Sequence, residues 1–130
     1  MSDIIKTITG ILRDKVEFAL LFGSFVTDNY NRKSDIDIAA FFRQFNMDMN
    51  TIIDLNAQIM SAVGRETDLI CLNTSDIIIT MQVLARGRLI FAREDSLFYQ
   101  FKARKISEYL DFKMDRKIIE DRLLKGGLYA

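Results

Sequence analysis

The chain has 130 residues, 49% of them apolar, which suits a single domain over residues 1–130 with one buried core and no linker. Histidine is absent, so histidine-dependent triads, HExxH zinc sites and HD-type phosphohydrolase centres are excluded, and any catalysis must run on carboxylates and hard cations. Eighteen basic and eighteen acidic residues cancel, whereas a domain that grips a nucleic-acid backbone carries a basic excess; the balance argues against nucleic acid as main partner.

In chain order, Ser2-Asp3 can cap a first helix to about Arg13, with Ile4, Ile5, Ile8, Ile11 and Leu12 at helical spacing. Glu17 to Phe22 reads as a buried strand that stops at Gly23-Ser24. A short helix is expected over Phe25 to Tyr30, and its N-terminus would turn free N–H groups toward an anion. The polar run Asn29 to Ser34 leads into a second strand, Asp35 to Phe42. Side chains alternate along a strand, so Asp35 and Asp37 share a face at a Cα separation of roughly 7 Å.

Asp48 or Asn50 opens the next helix, which runs to Met60 or Val63 with Ile52, Ile53, Leu55, Ile59 and Met60 as its apolar face, and Gly64 stops it. Arg65 to Leu72 forms the third strand, in which Cys71 reads as a small core residue; as the lone cysteine it cannot form an internal disulfide. Asn73-Thr74-Ser75-Asp76 caps a helix over Ile77 to Ala85, Gly87 ends it, and Arg88 to Ala92 forms a short fourth strand. Asp95 to Lys125 is helical throughout, roughly 45 Å if unbroken, which calls for a bend or a partner surface. Its stripe Phe98, Phe101, Tyr109, Phe112, Ile119 and Leu123 reads first as core and second as a surface for a partner or a second copy. No run is long and apolar enough to span a bilayer and no signal peptide is evident, so a cytoplasmic protein is expected. Strands alternating with helices predict an α+β layered fold, with the core in residues 1–94 and a helical segment over 95–125.

Nucleotidyl transfer asks little covalent help of a protein, but it needs phosphate charge neutralised and a nucleophile in line. Two Mg²⁺ ions held by three carboxylates meet that need, so a third carboxylate should stand on a neighbouring strand. Asp68, in Glu66-Thr67-Asp68-Leu69-Ile70, is in the right place to bind metal and accept a proton from the attacking hydroxyl. Alone, a Gly-Ser pair is commonly a turn and an Asp-x-Asp a solvated face; together with Asp68 they fall in the order one site requires.

Gly-Ser, ten residues, Asp-x-Asp and a later strand aspartate resemble the signature of the DNA polymerase beta-like nucleotidyltransferases. The short chain, with no second domain, and the tail Ala103 to Phe112 resemble the minimal nucleotidyltransferase (MNT) antitoxins paired with HEPN-domain toxins. The resemblance implies that Gly23 and Ser24 hold the triphosphate of ATP and that Asp35, Asp37 and Asp68 bind Mg²⁺. It further implies transfer of AMP to a tyrosine hydroxyl of a HEPN ribonuclease toxin. The family often continues its turn as G-S-x-A-R-G, whereas Val26, Thr27 and Asp28 stand in the last three places here. Losing that arginine removes a phosphate-directed cation, which makes an antitoxin acting by binding alone the second reading. Transfer to a small molecule is a third, disfavoured because no second domain is present to hold the acceptor. Arg65, Arg86 and Arg88 are candidates to replace the missing charge, and equally readable as a solvated rim.

Overall fold

The computed structural model describes residues 2–23 and 35–124. Ser24, the expected helix over Phe25 to Tyr30, and the departures at Val26, Thr27 and Asp28 lie outside them. The described residues form four helices and four strands, in the order α1 (Ser2–Leu12), β1 (Val16–Phe22), β2 (Ile36–Phe42), α2 (Met49–Val63), β3 (Thr67–Cys71), α3 (Ile77–Arg86), β4 (Arg88–Ala92) and α4 (Asp95–Leu124). The expected α+β layering holds, with strands in the order β3-β2-β1-β4. β1 runs antiparallel to both β2 and β4, while β3 lies parallel to β2 and is reached through α2.

Helices cover both faces of the sheet, so β1 and β2 are apolar on both sides. On one face α1 and α2 pack Ile8, Leu12, Ile52, Leu55 and Ile59 against Ala19, Leu21, Ile36 and Ile38. On the other, α3 and α4 supply Val83, Leu84, Phe98 and Phe101 against Phe18, Leu20 and Ala39. Strict alternation would put Val16 and Phe18 on the same face, yet they enter opposite cores. A β-bulge between them shifts the register and switches the parity of the strand. Glu17, inside the bulge, turns outward between Arg43 and Arg93, at 3.6 and 3.9 Å.

Local chemistry marks the ends of the elements as expected. The Asp48 carboxylate accepts from Asn50 N at the start of α2, and Gly64 closes that helix at φ +71°. Asp76 caps α3 by accepting from Ile79 N. Asn73, expected only to belong to the capping cluster, does more. Its side-chain amide accepts from Phe42 N at 2.8 Å and donates to Phe42 O at 3.0 Å, extending the β2–β3 pairing beyond the strand end. Cys71 is half-buried against the first core.

Two expectations need correction. Ile53, assigned to the apolar face of α2, is 56% exposed, because the stripe at Ile52, Leu55 and Ile59 already fills the contact with the sheet. The stripe on α4 is core only at Phe98 and Phe101, whose rings lie 5.2 Å from that of Phe18. The helix continues without interruption to Leu124, past the edge of the sheet. Phe112, Ile119 and Leu123 are therefore exposed, as are Leu110, Met114 and Ile118.

This division predicts unequal mutational costs. Phe101→Ala should lower unfolding free energy by about 3–5 kcal/mol, whereas Ile118→Ala should change it by less than about 0.5 kcal/mol, as urea denaturation of the isolated chain would show.

Candidate functional site

Three strands bring the site together. Phe22 on β1 pairs with Asp37 on β2, and Asp37 pairs with Asp68 on β3, forming one row across the sheet. Neighbouring strands lie about 4.8 Å apart, so the Asp37 and Asp68 carboxylates stand side by side. Ile36, Ile38 and Leu69 point into the α1/α2 core, which sends Asp37 and Asp68 to the opposite face, at the end of the α3/α4 layer. Asp35 precedes β2 by one residue and, two positions before Asp37, completes an acidic triplet; Asp35 and Asp68 are exposed and Asp37 is half-buried.

The row is pinned on both sides of Asp68. Ile36 N donates to Glu66 O at 3.0 Å where the parallel pairing begins. Buried Thr67 donates its hydroxyl to Asn56 Oδ1 at 2.6 Å, and Asn56 Nδ2 donates back to Thr67 O at 3.1 Å, locking α2 onto the start of β3. Above the row, Gly23 leaves β1 at φ +78°, where an L-residue is strained. A Cβ there would fall on the Asp37 carboxylate, so backbone passes over the acid at a distance only glycine allows.

Burial pushes the Asp37 carboxyl above its ordinary value, and the neighbouring Asp68 and Asp35 charges push it further. A half-buried carboxylate with two others beside it favours a cation. Among the described residues no group of three acids is placed to hold a metal ion by itself. Paired carboxylates suit magnesium by their chemistry, since it takes hard oxygen donors, commonly uses one or two carboxylates, and completes its shell with water and substrate phosphates.

Beside Gly23 lies an open cleft of about 580 Å³, walled by Phe22, by Met81, Gln82, Ala85 and Arg86 of α3, and by Tyr109 of α4. Of the three basic candidates read from sequence, Arg86 lines this cleft beside Gly23, and Arg65 and Arg88 each have an interaction of their own. Neither Gln82 nor Tyr109 could be singled out from the sequence, because what marks them is the crossing of α3 and α4 near the end of β1. Of the expected site residues, Gly23, Asp35, Asp37 and Asp68 come together; Ser24 lies outside the described residues.

A glycine turn over paired carboxylates, at the end of a small mixed sheet backed by helices, is the scaffold of a nucleotidyltransferase. Residues 6–96 match the polymerase beta nucleotidyltransferase family model, and the chain belongs to that family. It is 29% identical over 122 residues to protein adenylyltransferase MntA of Shewanella oneidensis, covering 90% of this chain and 85% of that protein. A toxin-antitoxin crystal structure with AMP-PNP matches at a TM-score of 0.80 and 27% identity, over 92% of this chain and 98% of that one. The complex of tri-AMPylated Shewanella oneidensis HEPN toxin with MNT antitoxin matches at 0.78 and 25%, over 95% and 98%.

The acidic row sets a pH dependence. Because the folded-state value of Asp37 lies above its unfolded one, its contribution to stability is fully present below the ordinary carboxylate range and lost as pH rises through the raised value. Asp37→Asn should therefore raise the urea midpoint of the metal-free protein at pH 7.5 relative to wild type, with the gain shrinking at acidic pH. Added Mg²⁺ should raise the melting temperature of the wild type, and the same substitution should remove that rise.

Proposed function

We propose that this protein is an ATP- and Mg²⁺-dependent nucleotidyltransferase that moves AMP onto a tyrosine hydroxyl of a HEPN-domain toxin, acting as its antitoxin in the cytoplasm. The observation that carries the reading is the in-register row Phe22, Asp37, Asp68 with Gly23 folded over it. Support for the acceptor comes from the relatives, one named an adenylyltransferase and another solved against an AMPylated HEPN toxin.

In this reading Gly23, with Ser24 after it, holds the triphosphate, and Asp35, Asp37 and Asp68 form the metal site, for which two ions are expected. When bound, magnesium would neutralise the triphosphate and make the α-phosphorus more electrophilic. The tyrosine oxygen attacks that phosphorus, the bond to the oxygen bridging toward the β-phosphate breaks, and pyrophosphate leaves. Asp68, exposed at the outer end of the row, accepts the tyrosine proton. Asp37, half-buried against Gly23, would hold the metal together with its neighbours.

The partner surface follows from α4. Past the core this helix exposes Leu110, Phe112, Met114, Ile118, Ile119 and Leu123, more apolar side chain than an isolated chain gains by showing to water. A shallow groove of about 490 Å³ runs between Ile78 and this stretch of α4 and shares Tyr109 with the cleft beside Gly23. A toxin seated there would have its own residues next to the acidic row. The same surface favours the second reading, neutralisation by binding alone.

Incubation with MgATP and a HEPN toxin, followed by intact-mass measurement, should show AMP-sized increments on the toxin. With Asp35→Asn and Asp37→Asn together the rate should fall on the order of a thousandfold or more. Absence of any increment refutes transfer, and protection of cells by the double variant would then establish binding alone; an increment that survives the double substitution refutes the role of these acids. Removing residues 114–130 should leave the melting temperature nearly unchanged, since Phe98 and Phe101 remain, but should weaken toxin capture in a pull-down at least about tenfold.

A further inference from the structure

We infer that Arg86 is the phosphate-directed cation of this site, gripping the nucleotide's polyphosphate beyond the α-phosphate and taking the place of the arginine that the turn lacks at Thr27. The inference rests on the nucleotidyl-transfer reading above and adds a residue to it. Three observations carry it.

The first is position. Arg86 is the last residue of α3 and lines the same cleft as Phe22 and Gly23. The second is how firmly that position is set. Gly87 follows directly, and a Cβ on it would strike Val83 O and press within 3.2 Å of Leu20 Cδ2 and 3.4 Å of Leu21 O. The closing carbonyl of α3 at Val83 leaves no room for a side chain at 87, and the helix end it shapes lies in contact with the last residues of β1, so Arg86 and Gly23 line one cleft. Gly87 N also donates to Val83 O, so the final turn of the helix stays closed up to the arginine.

The third is that the charge is uncommitted. Among the described residues Arg86 makes no hydrogen bond or ion pair, whereas Arg43 and Arg93 are held by Glu17, and Arg65 and Arg88 are engaged. A basic residue in a helix's last turn also favours the helix dipole, which accounts for a cation on α3 but not for its lining the cleft. The chemistry of the site supplies the need. A nucleoside triphosphate brings several negative charges to three aspartates. Magnesium held by the acids would offset part of that charge, and the rest calls for a basic donor, which Arg86 can supply from the cleft beside Gly23. A guanidinium there can bind two phosphate oxygens at once.

The test is nucleotide binding by isothermal calorimetry on the full chain, which is independent of any transfer reaction. Arg86→Ala should weaken MgATP binding about ten- to a hundredfold and leave AMP binding within about twofold, because AMP lacks the outer phosphates. Arg86→Lys should recover part of the loss, and Thr27→Arg in the Arg86→Ala background should restore affinity by returning the cation to the turn. An unchanged melting temperature for Arg86→Ala would separate this loss from misfolding. Wild-type MgATP affinity in Arg86→Ala, or an equal loss for MgATP and AMP, overturns the inference while leaving the nucleotidyl-transfer reading intact. Failure of the wild-type chain to bind MgATP overturns both.

Discussion

Parallel pairing of β2 with β3 is the constraint on which the site depends. It sets Asp37 beside Asp68, and the antiparallel edge of β2 sets Asp37 beside Phe22, so one row of backbone hydrogen bonds aligns two acids and the approach to a glycine turn. Strand side chains have a period of two, so a slip of one residue would turn Asp68 into the α1/α2 core and bring Leu69 to the site. Register is held at one end by the Ile36–Glu66 hydrogen bond and the Asn56–Thr67 pair, and at the other by the two bonds from Asn73 to Phe42. Asn73 touches none of the acids and still helps to decide which face they occupy.

Electrostatics works against the fold at this row and is tolerated because packing elsewhere is dense. Burial and two neighbouring carboxylates oppose the charge on Asp37, in a position where glycine backbone leaves little room for solvent. Phe18, Phe41, Phe98 and Phe101 form a ring cluster with centroids 5.0 to 5.3 Å apart in the α3/α4 layer behind the site. That cluster anchors the first two turns of α4. The opposition to charge at the acidic row is then a local property of a well-packed scaffold.

Much of this was legible in the sequence, and the limits are physical. All eight elements within the described residues are found, and their boundaries, read from caps and punctuating residues such as Asp48, Gly64, Asp76 and Gly87, fall within two residues of the expected ones. The acids were legible because an Asp-x-Asp at a strand start and an aspartate amid strand-forming residues are chemically conspicuous. The bulge at Glu17 was not, since it depends on which core Val16 and Phe18 each find, and periodicity does not encode that choice. Nor was the fate of the α4 stripe. Phe101 and Phe112 look alike at helical spacing, and only the extent of the sheet decides that the first is buried and the second is not.

Charge shows the same limit in another form. Equal numbers of acidic and basic residues argue against a nucleic-acid partner, but a sum over the chain is blind to separation. Folding gathers Asp35, Asp37 and Asp68 at one end of β2 and β3, while α3 carries Arg86 to the wall of the cleft beside β1, without a partner among the described residues. A neutral protein thus gathers acids along one row and sets an arginine in the cleft beside Gly23. In the proposed reaction that separation of charge would suit a metal-bound polyphosphate. Glycine serves both halves of the arrangement: Gly23 lets backbone pass over the acid, and Gly87 fits against the closing carbonyl of α3 at Val83, where a side chain has no room.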